Sequence, residues 1–171
     1  MTDHHQNWAG NTPFNSARFS EPTSISDLQD VVRKADKVRV IGSRHCFNDI
    51  ADTTGDLVWL GRLDNTAIID NERDTVTVNA GITYGELYPQ LHAAGYALPN
   101  TASLDHITVM GACMSATHGS GNANGNLATS VCGLEMVTAN GDLTTMTREK
   151  DWDRFNGAVV ALGALGIVTR V

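Results

Sequence analysis

The 171-residue chain has little cysteine, and the three it has, Cys46, Cys113 and Cys132, are odd in number and lack CxxC spacing. That pattern argues against a disulfide framework and a structural zinc site, and a reducing, cytoplasmic setting fits it. Basic side chains are also few: 12 Lys and Arg against 19 Asp and Glu leave a net charge of −7. A surface of that sign is not expected to take nucleic acid or an anionic membrane as its partner. No apolar run reaches membrane-spanning length. The polar start, Met1-Thr2-Asp3-His4-His5-Gln6-Asn7, has neither the basic nor the apolar region of a signal peptide. His4 and His5 are too few for a tag or a metal tract, and there is no internal repeat or low-complexity tract.

Several catalytic and nucleotide-binding signatures are missing too. No strand leads into GxGxxG with an acidic residue further on, there is no Gly-Lys-Ser/Thr, and Gly119-Ser120-Gly121 lacks the GxSxG spacing of a serine hydrolase. His92, His106 and His118 do not follow a zinc spacing, so local packing or hydrogen bonding is the favoured reading for them. His118, set among hydroxyls and glycines, is equally balanced between that and a ligand contact.

What is present suffices for a core: 42% of residues are hydrophobic, and the length suits one ordinary domain or two small packed subdomains. Many of the 16 glycines cluster at 111–125 and 157–166, where backbone can approach a ligand. Trp8, Phe14 and Phe19 make residues 1–19 an ordered lead-in in search of packing. Ser26 with Gln29 reads as a capping box, with Leu28, Val31, Val32 and Ala35 on one helical face. A strand over Val38–Ile41 follows, then another over Leu57–Leu60. Ala67–Asp70 and Thr75–Val78 read as a hairpin. Thr83 with Glu86 starts a helix that Gly95 stops, and Pro89 predicts a bend or break inside it. Asn140-Gly141 predicts a hairpin between Gly133–Thr138 and Asp142–Met146. A short helical turn at 151–155 precedes a strand from Ile167, inside which the sequence stops, as a truncated chain would.

The stretch that organises the rest is Val38-Arg39-Val40-Ile41-Gly42-Ser43-Arg44-His45-Cys46-Phe47-Asn48. A buried strand ends at Gly42-Ser43, where a tight turn can aim main-chain N–H groups inward as an anion nest. Arg39 and Arg44 make a positive spot there, and His45 stands at its mouth. Taken alone, the stretch is equally a strand-to-loop turn with a surface histidine. A second stretch, Gly111 to Gly121, is rich in small and hydroxyl residues that can lie flat against a ligand.

Read in order, Ile41-Gly42-Ser43-Arg44-His45-Cys46-Phe47-Asn48, then Leu98-Pro99-Asn100-Thr101-Ala102-Ser103, then Gly111 through Gly121 resemble the flavin domain of the vanillyl-alcohol oxidase superfamily. The likeness is nearest to alditol (xylitol or sorbitol) oxidases, with sugar-lactone oxidases as near relatives. It covers nearly the whole chain, from Trp8-Ala9-Gly10-Asn11 to Gly163-Ala164-Leu165-Gly166-Ile167-Val168. The resemblance implies an α+β fold of the PCMH type, two α/β subdomains with FAD between them. Residues 1–19 would be the lead-in, 20–75 the first subdomain and 76–171 the second, incomplete, with the substrate-cap domain absent.

The resemblance also implies that Ile41, Gly42, Ser43, Arg44, His45 and Cys46 wrap the pyrophosphate, and that His45 bonds to the 8α carbon of the flavin. Ser103, Thr108, Gly111, Ser115, Ala116, Thr117, His118 and Ile167 match further FAD-contacting positions, and Ser103 also matches a substrate-facing one. Arg44 and Cys46 stand where the wider superfamily commonly has glycine and serine. The implied reaction takes a polyol to an aldose with O2, giving H2O2. The alternatives are a lactone oxidase, a dehydrogenase, or a flavin-binding module without turnover.

Overall fold

Strand β2 (Val38–Ile41) forms where the apolar run predicts it. Its neighbour is β3 (Asp56–Trp59), and β1 (Arg18–Ser20) lies on β3's other side, making a parallel sheet in the order β1-β3-β2. The computed structural model describes residues 6–171, so His4 and His5 lie outside the described residues. Leu57 and Val58 are fully buried on opposite faces of β3. Leu57 packs with Phe14 and Ile41, while Val58 joins the main core. A central parallel strand covered on both sides has that character. At the end of the sheet, Arg18 grips the buried Asp56 through both carboxylate oxygens. Its guanidinium holds that carboxyl below the usual carboxylate range.

Helix α1 (Ile25–Lys34) links β1 to β2 and buries Leu28 and Val32. Its cap is Ser24, whose side chain accepts from the Asp27 amide at 3.1 Å, and not Ser26 as the Ser26/Gln29 spacing predicts. Ser24 with Asp27 has the same spacing, and an anionic carboxylate suits the positive helix start better than an amide. Gln29 is used elsewhere, donating to the Gly141 carbonyl at 2.7 Å and tying the helix to a distant turn.

The second half of the chain is antiparallel. Strands β4 (Ile68–Asp70) and β5 (Thr75–Thr77) form the expected hairpin. Beyond β5, residues 78–80 pair with β8 (Ile167–Arg170) and Val171: Val78 and Val171 exchange both backbone hydrogen bonds, and Ala80 N–H donates to the Thr169 carbonyl. On its other side β8 pairs with β6 (Gly133–Val137), and β6 with β7 (Leu143–Thr147). The β6–β7 turn is at Asn140-Gly141 as expected. Gly141 alone takes a positive φ, +79°, so the turn is not the two-residue type in which both central residues are left-handed.

Helix α2 (Tyr84–Ala93) has the full Thr83/Glu86 capping box and Gly95 at φ +82° just past its end. Pro89 does not break it. The proline is solvent-exposed, and Tyr84, Leu87 and Leu91 bury the opposite side on both flanks of it. Helices α3 (Val109–Met114) and α4 (Trp152–Ala158) complete the α+β architecture, with short 3-10 turns at Asp49–Ala51 and Leu127–Ser130. One contiguous apolar core runs from Leu28 and Val58 through Leu87 and Met136 to Val168. Among the described residues no helix is long and apolar enough to cross a membrane.

Candidate functional site

The loop after β2 is shaped by what presses on it from both sides. At Gly42 an added Cβ would land on the Thr108 hydroxyl and touch the rest of that side chain. At Gly111 it would lie 2.6 Å from the same hydroxyl. Two glycines far apart in sequence therefore close around one buried threonine. This brings the β2 loop against the start of α3. Thr108 is held in turn by its neighbours: Val109 N–H donates to the Ile82 carbonyl at 2.9 Å and Tyr84 N–H to the Ile107 carbonyl at 3.1 Å.

From the other side comes the lead-in. Trp8 N–H donates to the Arg44 carbonyl at 2.8 Å, and the Asn7 side-chain amide donates to the Cys46 carbonyl at 2.9 Å. Asn7 is 2% exposed, and its carbonyl oxygen also accepts from the amides of Asn11 and Thr12. His45 is thus clamped by the carbonyls just before and just after it. Arg44 takes φ +60°, the left-handed geometry that bends successive amides into a concave surface. Its guanidinium donates to the Gln6 carbonyl at 3.0 Å, so part of the charge read as a phosphate partner also secures the lead-in. Burial pushes the Cys46 thiol above its ordinary range, and its sulfur contacts the Arg44 carbonyl within the loop.

The His45 ring sits among aromatic groups. The Trp8 indole stacks on it with centroids 4.7 Å apart and planes 18° from parallel, and Phe47 meets it edge-on at 5.4 Å. His106 is 5.2 Å away. The Nε2 atoms of His45 and His106 are both buried without a hydrogen-bond partner.

These elements enclose a cavity of about 550 Å³, within the usual range for a cofactor site. Of the residues predicted from sequence, Ile41, Gly42, Ser43, Arg44, His45, Cys46, Thr108, Gly111, Ser115 and Thr117 line it together. Ser103, Ala116, His118 and Ile167 do not. Ser103 is exposed beside the lining residue Leu104, and His118 is exposed, its Nδ1 3.2 Å from the Gly119 carbonyl. Ala116 turns at φ +53° between Ser115 and Thr117. Ile167 is buried in the core, with Gly166 and Val168 on either side facing the cavity. The third wall, Leu162 and Gly163, was legible only as a glycine-rich run. Arg39 donates to the Leu162 carbonyl at 3.1 Å and fastens it. A second, larger cavity beside β4–β5 and β6–β7 contains none of the predicted site residues. Among the described residues no group of three or more His, Cys, Asp or Glu is placed to hold a metal.

Phe47, which lines the cavity, and Asn7, Trp8 and His106, which frame His45 from outside the lining, escaped the sequence reading. The packing that Trp8 needs is the face of His45, where the indole stays 57% exposed. A tryptophan directly after the polar opening residues was the available signal.

A buried orphan imidazole nitrogen, a cradle kept clear of side chains by Gly42 and Gly111, and a walled cavity fit a flavin nucleotide. The chain belongs to the FAD binding domain family, which matches residues 16–147, and FAD is its cofactor. It is similar to the alditol oxidase of a Streptomyces species, 42% identical over 166 residues, 95% of this chain and 40% of that protein. The L-gulonolactone oxidase of Mus musculus is 35% identical over 97% of this chain and 39% of its own length. The L-gulono-1,4-lactone dehydrogenase of Mycobacterium tuberculosis is 34% identical over 96% of this chain and 39% of its own. The chain therefore spans about two fifths of the length of these relatives. These three relatives are, by name, two oxidases and a dehydrogenase.

Proposed function

We propose that the chain is the flavin-holding part of an alditol oxidase, which takes xylitol or sorbitol to the aldose with O2 and releases H2O2, its FAD bonded to His45. One observation carries the reading: the loop that presents His45 and the α3 segment that presents Thr108, Gly111, Ser115 and Thr117 line a single cavity. FAD bound there supplies a two-electron acceptor. The amides of Ile41 to Cys46 hold the pyrophosphate, since main-chain N–H groups bent around a left-handed residue favour an anion. Thr108 sets the spacing between the two walls. Ser115 and Thr117, whose hydroxyls lie 3.1 Å apart, offer hydrogen bonds along the ligand edge. Ala116, His118 and Ile167 contribute from beside the cavity, and Ser103 faces the substrate as well as the cofactor.

In this reading residues 20–75, with β2 and β3 of the parallel sheet, and 76–171, with the antiparallel sheet of β6, β7 and β8, are two subdomains with FAD between them, and 1–19 is a lead-in that carries most of β1. The groups that take the polyol proton belong to the length that the relatives have and this chain does not span. The three free cysteines support a reducing, cytoplasmic setting. A lactone substrate is the second reading, favoured by the 35% identity to L-gulonolactone oxidase.

The test begins with protein loaded with FAD and precipitated in acid. Yellow colour in the pellet is expected. Colour only in the supernatant refutes the His45 bond, and no colour in either refutes flavin binding. Peroxide production is then read with xylitol, sorbitol and L-gulonolactone. We expect none from these 171 residues, and any peroxide overturns the assignment of catalysis to the remaining length.

A further inference from the structure

We infer that Trp8 is the positioning residue of His45: its indole fixes the plane of an imidazole that lines the cavity, in the orientation that bonding to the flavin requires. The inference rests on the covalent role proposed for His45. Three observations carry it.

First, nothing hydrogen-bonds the His45 Nε2 atom, which is buried. The ring's orientation is set by contacts with neighbouring rings. Of these, Trp8 is the one that lies nearly parallel, at 4.7 Å and 18°. Phe47 meets the ring by an edge and is itself 68% exposed.

Second, Trp8 is 57% exposed and does not line the cavity, whereas His45 does. An indole placed there adds little to the core. Its backbone, however, is pinned to the loop it stacks on: Trp8 N–H reaches the Arg44 carbonyl, and the buried Asn7 amide reaches the Cys46 carbonyl. These two bonds bracket His45, so the indole and the imidazole share one frame.

Third, the same indole also stacks on His106, at 5.5 Å and 19°. Rings on opposite faces of an indole would stand about 7 Å apart at closest, twice the van der Waals contact distance. The two imidazoles are 5.2 Å apart, so both lie under one face. Trp8 covers the pair and stays outside the cavity lining.

The bonding step joins an imidazole nitrogen to the 8α carbon. One 8α C–H bond and the imidazole N–H give up their hydrogens, and the electron pair passes through the flavin to O2, which leaves as H2O2. Its rate depends on how often the nitrogen points along the right line. Stacked aromatic pairs favour their geometry by enough that losing one should cost about tenfold in such a rate.

The experiment loads FAD-free wild-type, Trp8→Ala and Trp8→Phe proteins with FAD in air. It follows total bound flavin by absorbance and acid-stable flavin by gel fluorescence over time. Trp8→Ala is expected to bind FAD with near wild-type affinity and to attach it about tenfold more slowly, with Trp8→Phe restoring most of the rate. In FAD-free protein the His45 ring-proton resonances should lie upfield under the indole and move downfield in Trp8→Ala. Attachment at the wild-type rate in Trp8→Ala overturns the inference. So does a parallel loss of binding and attachment in both variants, which would make Trp8 a prop of the loop fold. Absence of acid-stable flavin in the wild type sinks the covalent role of His45, and the inference that Trp8 poises the nitrogen for that bond falls with it. The unliganded ring shifts then show only whether the stack itself exists.

Discussion

Arg44 holds a conformation that its side chain resists. At φ +60° its Cβ crowds the following carbonyl, which costs an L-residue about 1 kcal/mol that glycine does not incur. It is not alone. Among the described residues four non-glycines take a positive φ; Arg44 and Leu162 line the cavity and Ala116 sits between two residues that do. Asp74, in the β4–β5 turn, is the exception. Strain of this kind gathers where backbone must be shaped around a ligand. A comparison of two truncations isolates the backbone effect, because both lose the contact to the Gln6 carbonyl and every other contact of the side chain. Arg44→Gly should be more stable than Arg44→Ala by about 1 kcal/mol in urea unfolding. Equal stabilities would show that the loop relaxes out of the left-handed region when the arginine is removed.

Helix α3 is six residues long and carries a glycine at its third position, where helix propensity alone favours alanine by about 1 kcal/mol. Thr108 reverses that preference, since a Cβ at Gly111 meets its hydroxyl at 2.6 Å. Gly111→Ala is therefore expected to destabilise the protein by roughly 1–3 kcal/mol, as overpacking does. In a Thr108→Ala background the same substitution should become neutral or stabilising. A double-mutant cycle in chemical denaturation reads the sign change, and additive effects would mean that the helix start gives way without the threonine.

The same element marks the limit of what the sequence discloses. Elements governed by near neighbours were legible: β2 from its apolar run, α2 from Thr83 and Glu86, the β6–β7 hairpin from Asn140-Gly141. The cap of α1 was misassigned because two serines two residues apart both had a suitable partner three residues on. Of the bend or break expected at Pro89, the break does not occur, because burial on both sides of the proline outweighs one missing backbone hydrogen bond. The closure of Gly42 and Gly111 on Thr108, and of Trp8 on His45, joins residues distant in the chain, and no local pattern encodes such a meeting. Strand β1 was hidden for a related reason. Three residues including Arg18 do not look like a strand until Asp56 is beside them.

At the scale of the whole chain, the distribution of apolar contacts decides how the parts respond together. Leu28, Val32, Val58 and Leu60 come from the half that holds the parallel sheet, yet they belong to the cluster that includes Leu87, Met136, Phe155 and Val168. Fully burying such side chains is worth about 1.5–3 kcal/mol each, so neither half can open without stripping cover from the other. Two halves of a chain that share one core should melt as one unit. Trp59 lies in β3 and Trp152 in α4, so variants retaining only one of these tryptophans report on either side. Their fluorescence midpoints should coincide with each other and with the loss of far-UV circular dichroism. FAD bound without a covalent link, at about 100 times its Kd, adds roughly 2.7 kcal/mol to the folded state. For a chain of this size that should raise both midpoints by about 5–11 °C, and by the same amount. Midpoints that separate, or a shift confined to the Trp59 reporter, would mean that the cofactor braces one half of the chain and that the shared core is too weak to transmit it.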